Sequence, residues 1–273
     1  MRPIQRKSPI SSLVERQASC VYRGLHRGLC LPPIPTGCIL SSLPLEQRPN
    51  PTAWEELLQK ALPALDHVFP PASFDRNRRP AWTLGGGTAI ALRIAHRLSD
   101  DIDIFVPSQP LKAFTPAKNP GSRAISDRFQ WPGHYLRFEC KGGEIDFLSP
   151  HLQTDPGFTW ERYRDRDVAL ETLEEVIVKK IRFRSARFTA RDVFDLAAVA
   201  RAAPAIAEVL AAEVADALPR LKAVIQARPV SKDSLRSELR PTNEFEDLAA
   251  TAYDSALRIV DAAIEAGRPK DLS

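Results

Sequence analysis

A run of three glycines, Gly85 to Gly87, constrains the fold of this chain more than any other feature. It follows a short apolar segment at residues 82–84 and precedes residues 88–97, whose apolar side chains recur at helical spacing. The pattern predicts a strand, a tight turn and a helix. Glycines let a ligand approach the backbone, and a helix N-terminus offers N–H donors that suit phosphate. An ordinary turn is the alternative interpretation. The candidate nucleotide-binding residues here are Gly86, Gly87 and Thr88.

Acidic side chains recur on two segments that alternate polar and apolar residues. Asp101 and Asp103 point to one face of a predicted strand, and Asp146, on a later strand of the same pattern, can lie beside them. Carboxylates gathered on one face repel each other unless a cation lies between them, and Mg²⁺ binds few carboxylates together with substrate phosphates. Together with the glycine turn and the helix N-terminus, the three residues therefore predict a two-metal Mg²⁺ or Mn²⁺ site for phosphoryl transfer, with Asp146 as a ligand or a base. A solvated strand face is the alternative.

The fold class predicted from the order of the elements is α+β. Residues 135–140 and 144–148 form a predicted hairpin, and from Leu173 onward every periodic segment is helical. Thr52, with Glu55 three residues later, predicts the cap of the first helix. We expect a sheet-and-helix domain over residues 52–160 and an all-helical domain over residues 161–273 that completes the active site.

Residues 1–51 differ in composition from the rest of the chain. Up to residue 45 they hold six Lys or Arg against one Glu, so the remainder is close to neutral although the whole chain carries +4. Proline and arginine without periodicity predict a disordered leader, with a transit peptide or an upstream start codon as alternatives. Outside the leader only Cys140 remains, which favours the reducing cytoplasm. No apolar stretch is long enough to span a membrane.

A second group of charged residues lies on two predicted helices. Lys180 and Arg184 share a basic face because they are four residues apart. Thr189 predicts the start of the next helix, where Asp192 and Asp195 share a face. Each part has a structural alternative, since basic helix faces are often solvated and Asp192 can be only a cap.

Taken together, GGTA at residues 86–89 and HRxSxDIDIF at residues 96–105 resemble the AbiEii/AbiGii toxin family of the polymerase-beta-like nucleotidyltransferase superfamily. The resemblance covers roughly residues 52–202. It implies a polymerase-beta-like nucleotidyltransferase domain that transfers a nucleoside monophosphate from an NTP to an acceptor, with pyrophosphate leaving. It also implies the toxin of a type IV toxin–antitoxin or phage-defence pair, with a cognate antitoxin as partner and a tRNA end, another RNA or a protein as acceptor.

The resemblance extends to individual positions. Lys180 would bind phosphate, and Asp195 or Asp192 would orient that lysine or the substrate. Lys179 is the alternative lysine, and we expect its replacement to leave NTP binding and turnover nearly unchanged. Asp100 departs from the family pattern, and strand alternation predicts that it faces away from the metal site and is dispensable. The full nucleotide-binding set that we expect beyond the glycine turn is Arg97, Ser99, Lys180, Arg184 and Asp192. The catalytic set is Asp101, Asp103, Asp146, Lys180 and Asp195.

Two other functions are compatible with these residues. A small-molecule nucleotidyltransferase of the aminoglycoside-modifying type would use the same carboxylates but an acidic acceptor pocket. A non-catalytic nucleotide-binding module would keep the fold without turnover. Arg184, Arg187 and Arg191 favour a polyanionic acceptor, because together they predict a local basic patch on a nearly neutral body.

Overall fold

The computed structural model describes residues 40–107, 109–227 and 238–268. The strands are β1 (Thr83–Gly85), β2 (Ile102–Phe105), β3 (Phe129–Gln130), β4 (Tyr135–Cys140), β5 (Gly143–Leu148), β6 (Phe158–Tyr163) and β7 (Arg166–Glu171). The α-helices are α1 (Trp54–Val68), α2 (Gly86–Ile94), α3 (Pro120–Arg123), α4 (Leu173–Arg184), α5 (Ala190–Ala202), α6 (Ile206–Glu213), α7 (Leu218–Gln226), α8 (Glu246–Ala249) and α9 (Ala252–Ala266). Short 3₁₀ turns occupy Leu40–Ser42, Leu45–Gln47, Pro71–Ser73, Leu111–Phe114, Ser185–Arg187, Ala215–Ala217 and Asn243–Phe245.

The strands form one mixed sheet in the order β3-β4-β5-β2-β1-β7-β6. β2 is parallel to β5 and antiparallel to β1, while β1 is parallel to β7. Alternation explains the faces of the central strands. Ile102, Ile104, Ile145 and Phe147 are fully buried, whereas the aspartates between them remain partly accessible. The centre of the sheet therefore presents a carboxylate face.

The α+β class is confirmed, but the sheet continues further along the chain than expected. The hairpin of β6 and β7 lies beyond the predicted strands, and the expected domain boundary at residues 160/161 falls inside β6. The helical part starts at Leu173, where the Thr172 side chain caps α4 by accepting from the N–H of Glu175 at 3.1 Å. β6 was missed because its apolar residues do not alternate cleanly with polar ones.

Helices cover the sheet and share one continuous hydrophobic core with it. α1 packs on β2 and β5, and α2 packs on β1, β2 and β7. α4 and α5 contact α2 and each other, and α9 packs against α5, α6 and α7. These contacts bring α4 and α5 next to the glycine turn that starts α2. Within the described ranges, no helix combines the length and apolarity needed to cross a bilayer.

The end of the predicted leader is part of this folded body, which corrects the expected boundary at residue 52. Leu45 is completely buried, and the guanidinium of Arg48 is buried against the carboxylate of Glu161. Thr52 does not cap α1, which begins after Ala53; its hydroxyl donates to the backbone oxygen of Ser99 at 2.8 Å. The rest of the leader lies outside the described residues.

Candidate active site

Three carboxylates line one cavity of about 180 Å³. Asp103 on β2 pairs with Asp146 on β5 in the parallel register, so the two side chains leave neighbouring strands on the same face. Asp101 lies directly before β2, and its Oδ1 accepts a hydrogen bond of 2.9 Å from the N–H of Glu144. The structure therefore brings together the three acids that the sequence singles out.

The surroundings of Asp103 disturb its ionisation. Burial, followed by the charges of Asp146 and Asp101, raises its pKa to about 7, although Lys180 opposes the shift. Among the described residues, none donates a hydrogen bond to its side chain. Asp103 therefore has no cation in direct contact among the described residues. A divalent metal ion would be such a cation.

The glycine turn makes room for these side chains. Gly86 has a φ of +65°, and a Cβ there would lie 1.7 Å from Oδ2 of Asp103. A Cβ on Gly87 would lie 2.5 Å from Nη2 of Arg97. Of the three turn residues named above, only Gly87 lines the cavity; the hydroxyl of the buried Thr88 instead donates to the backbone oxygen of Asp101. Nucleotide binding by Gly86 and Thr88 stays a prediction.

Cationic side chains of α4, called the cationic wall below, line the same cavity as these carboxylates. Lys180 on α4 lies 2.7 Å from Oδ1 of Asp192 and 2.9 Å from Oδ2 of Asp195. Burial alone would lower the pKa of Lys180, but these two carboxylates raise it above its usual value, so the lysine stays charged. Arg184 also binds Asp192, at 2.7 Å, and its side chain is 46% exposed. Lys180, Arg184 and Asp192 all line the cavity, as expected.

Asp195 lies behind this wall and does not reach the cavity. It is fully buried, with Oδ1 accepting from His96 Nε2 and Arg97 Nε at 2.7 Å each and Oδ2 accepting from Arg97 Nη2 at 3.1 Å. Although burial would raise its pKa, Arg97, Lys180 and His96 hold it well below the usual value. Asp195 can therefore act on a substrate only by positioning Lys180 and Arg97.

Asp192 combines a structural and a site role. Its Oδ2 accepts from the N–H and the hydroxyl of Thr189, which closes a capping box at the start of α5. Its Oδ1 accepts from Lys180. The capping prediction and the site prediction are thus both compatible with its contacts.

The remaining residues expected at the nucleotide also lie in the cavity wall. Arg97 and Ser99 line it, both nearly buried. Asp100 lines it as well and forms an ion pair with Arg240, so the expectation that it points away is wrong. Asp100 precedes β2 rather than lying on it, so strand alternation does not govern its direction.

Lys179 lies away from the cavity, which agrees with the choice of Lys180 over it, but its burial was not expected. It is 5% exposed and binds Glu171 at 2.6 Å and Glu175 at 3.1 Å, with its Nζ 3.7 Å from the centre of the Phe105 ring. These contacts hold α4 on β7. We expect a replacement of Lys179 to lower stability, because two buried carboxylates would lose their cation; a silent effect on activity stays a prediction.

Sequence reasoning missed Arg137, Glu238 and Arg240, which also line the cavity. A signal for Arg137 exists, because the two-residue turn between β4 and β5 fixes the register that places it opposite Asp146. Arg240 reaches the site through long-range contacts: its backbone oxygen accepts from Leu98, and residues 97 and 241 form an isolated bridge. No local pattern predicts such a contact.

Comparison with known proteins identifies the family of the chain. The family model described as nucleotidyl transferase AbiEii toxin, type IV TA system, matches residues 73–263. No curated protein matches. Two Helicobacter pylori crystal structures, JHP933 and a protein provisionally described as a nucleotidyltransferase, are each 16% identical to this chain, with TM-scores of 0.35 and 0.34. Each alignment covers 78% of this chain, and 90% and 92% of those chains. The family match spans most of the chain, its carboxylates and its cationic wall, and the chain therefore belongs to the AbiEii family of nucleotidyltransferases.

Proposed function

We propose that the cavity binds an NTP with Mg²⁺ or Mn²⁺ and transfers the nucleoside monophosphate to an acceptor. The observation that carries the proposal is the pairing of Asp103 with Asp146 in one register, in the same cavity as Lys180 and Arg184. Carboxylates and cations that line one cavity suit a metal-bound triphosphate, because the carboxylates can hold the metal ion and the cations can bind the phosphates.

Asp101, Asp103 and Asp146 would hold the metal ion, and Asp103 supports this best because it has no hydrogen-bond donor among the described residues. Oxygen ligands of this kind are those that Mg²⁺ and Mn²⁺ prefer. When bound, the ion would neutralise charge on the triphosphate during transfer. Asp146 can serve as a further ligand or take the proton of the acceptor hydroxyl.

Lys180 would bind a phosphate oxygen through its remaining N–H. An ammonium has three donors, and the contacts to Asp192 and Asp195 use two of them. The third has no acceptor among the described residues and can serve a ligand in the cavity, which Lys180 lines. Arg184 adds a second cation that is partly exposed at the same wall. Both side chains are preorganised by carboxylates, so little ordering is needed when a nucleotide binds.

The rim of the cavity favours a polyanionic acceptor over a small cationic one. Arg184, Arg191 and Arg240 line it and are exposed or partly exposed. RNA, in particular a tRNA end, would meet these arginines through its phosphates. Family membership adds a role as the toxin of a type IV pair with a cognate antitoxin.

The test is incubation of the protein with each labelled NTP in turn, with Mg²⁺, Mn²⁺ or EDTA. Total tRNA, a protein mixture and an aminoglycoside serve as separate acceptors. We expect label on RNA from one or two NTPs, only with metal, and none with Asp101→Asn. If only the aminoglycoside is labelled, the acceptor is a small molecule and not RNA. Transfer in EDTA would overturn the metal dependence, and no transfer to any acceptor would overturn the proposed reaction.

A further inference from the structure

One arginine binds both oxygens of a proposed metal ligand. Arg137 on β4 lies opposite Asp146 on β5. Its Nε donates to Oδ1 of Asp146 at 2.7 Å and its Nη2 donates to Oδ2 at 2.6 Å. Its Nη1 lies 2.8 Å from Oε2 of Glu144. The guanidinium fork is thus shared between two acids of the cavity wall, in the bidentate geometry that makes such pairs strong.

Protein contacts engage two of the three proposed metal ligands. Both its oxygens face Arg137, and Oδ1 of Asp101 faces the N–H of Glu144. Among the described residues, no three acidic, histidine or cysteine side chains already converge as a metal site. The donor set has the right chemistry, but one of its members is held by a cation that belongs to the protein.

We propose that Arg137 is the counter-ion of the metal site in its unloaded form, and that a divalent cation must displace it from Asp146. The inference rests on the proposed function, since it takes the three aspartates as the metal ligands. Arg137 is placed for such a role because its side chain is 34% exposed and has room to move. Glu144, 35% exposed, offers a second acceptor that keeps Arg137 at the cavity after release.

A purely structural brace would have the opposite effect on metal affinity. If Arg137 only orients Asp146, its removal disorders a ligand and weakens metal binding. If Arg137 competes with the metal ion, its removal deletes a positive charge next to the site and frees two oxygens, and binding becomes tighter. Loss of a nearby positive charge also tightens cation binding by itself, so Arg137→Lys, which keeps the charge but loses the bidentate contact, separates displacement from a simple charge effect.

The experiment is calorimetric titration of the metal-free protein with Mn²⁺ for wild type, Arg137→Gln and Arg137→Lys. We expect Arg137→Gln to bind Mn²⁺ about tenfold more tightly, from the loss of a nearby charge. Lys keeps the charge but not the bidentate geometry, so Arg137→Lys should gain less. The matched control is Arg128→Gln, which removes an arginine that is 80% exposed and pairs with Glu139 outside the cavity. It should bind like wild type.

Unchanged or weaker binding by folded Arg137→Gln, while wild type binds, would overturn the inference and leave the proposed metal site standing. If neither protein binds Mn²⁺, both the inference and the metal dependence fail. Circular dichroism checks that each variant is folded. If Arg137→Gln does not fold, Arg137→Lys replaces it as the test. Mn²⁺ binding by Arg137→Lys that is no tighter than binding by wild type would then contradict displacement. Glu144→Gln should weaken Mn²⁺ binding more in wild type than in Arg137→Gln, and equal losses would exclude Glu144 as the second acceptor.

Discussion

Lys180 and Asp195 form an ion pair of 2.9 Å behind the cavity wall, where the carboxylate is fully buried and the lysine is 11% exposed. Asp195 also binds His96 and Arg97. The position of the Lys180 ammonium at the cavity is therefore fixed by a buried carboxylate. This arrangement explains how a single flexible side chain on α4 can present its ammonium to a triphosphate in a defined position.

Lys180→Ala should reduce nucleotidyl transfer by about 100-fold or more, as expected for loss of one preorganised cation at a phosphoryl-transfer site. Lys180→Arg should recover only part of the activity, because a planar fork does not replace a compact ammonium. Steady-state kinetics give the comparison. Lys222→Ala is the matched control, since that lysine pairs with Asp261 on the helical surface, away from the cavity. Activity of Lys180→Ala near the wild-type level would remove Lys180 from the site.

Asp195→Asn should cost more stability than Asp192→Asn. Asp195 is the buried partner of Lys180, Arg97 and His96, and neutralising it leaves cations without their carboxylate, a loss of about 3–5 kcal/mol in buried pairs. Asp192→Asn keeps Asp195 on Lys180 and mainly weakens a cap, at about 1 kcal/mol. Urea unfolding of both variants measures the difference. Equal losses would mean that Asp195 is not the centre of the network.

The contribution of Asp103 to the stability of the metal-free protein should fall as the pH rises from about 4 through about 7. Asp103 has an ordinary pKa of 3.8 when unfolded and about 7 when folded, so the folded state binds the extra proton in that interval. Asp103→Asn should flatten this part of the curve and raise the melting temperature above pH 7 by about 2–4 °C per kcal/mol recovered. Melting in EDTA across this pH range tests it. An unchanged slope in Asp103→Asn would assign the titration to another group.

The central site could be predicted from the sequence because its signals are local. Asp101 and Asp103 alternate with buried isoleucines, and Gly86 is needed where a side chain would collide with Asp103. Such patterns depend on the strand and helix periods, which the chain obeys here. The resemblance to the AbiEii/AbiGii family, and not spacing, predicted that Asp192 or Asp195 orients Lys180.

The rest of the site depends on contacts between distant parts of the chain. Arg240 meets Asp100 across 140 residues, and Arg48 meets Glu161 across 113. Neither pair leaves a pattern in the sequence, since isolated charged residues are mostly solvated. The burial of Lys179 was missed for the same reason: its partner Glu171 lies on β7, a strand that the sequence did not predict.

Lys179→Met should lower the free energy of unfolding by about 3–5 kcal/mol, because it leaves Glu171 and Glu175 buried without their cation. Glu171→Gln in the same chain should restore part of the loss, since one of the uncompensated charges is then removed. Urea unfolding measures both variants, with Lys60→Met as a control on the exposed face of α1. A change within about 1 kcal/mol for Lys179→Met would show that the ion pairs contribute little.

Residues 40–51 should stabilise the folded body. A chain that begins at residue 52 lacks the buried Leu45 and leaves Glu161 buried without Arg48, so it should unfold at a lower urea concentration than a chain that begins at residue 40. Arg48→Ala in the full chain isolates the ion pair and should cost about 3–5 kcal/mol, with partial recovery in Arg48→Ala/Glu161→Gln. Arg164→Ala is the control, because that arginine is 52% exposed on the same hairpin and its pair with Glu55 lies at the surface. If the chains beginning at residues 40 and 52 unfold at the same urea concentration, residues 40–51 do not contribute to stability. The folded body would then begin at residue 52, as expected from the sequence.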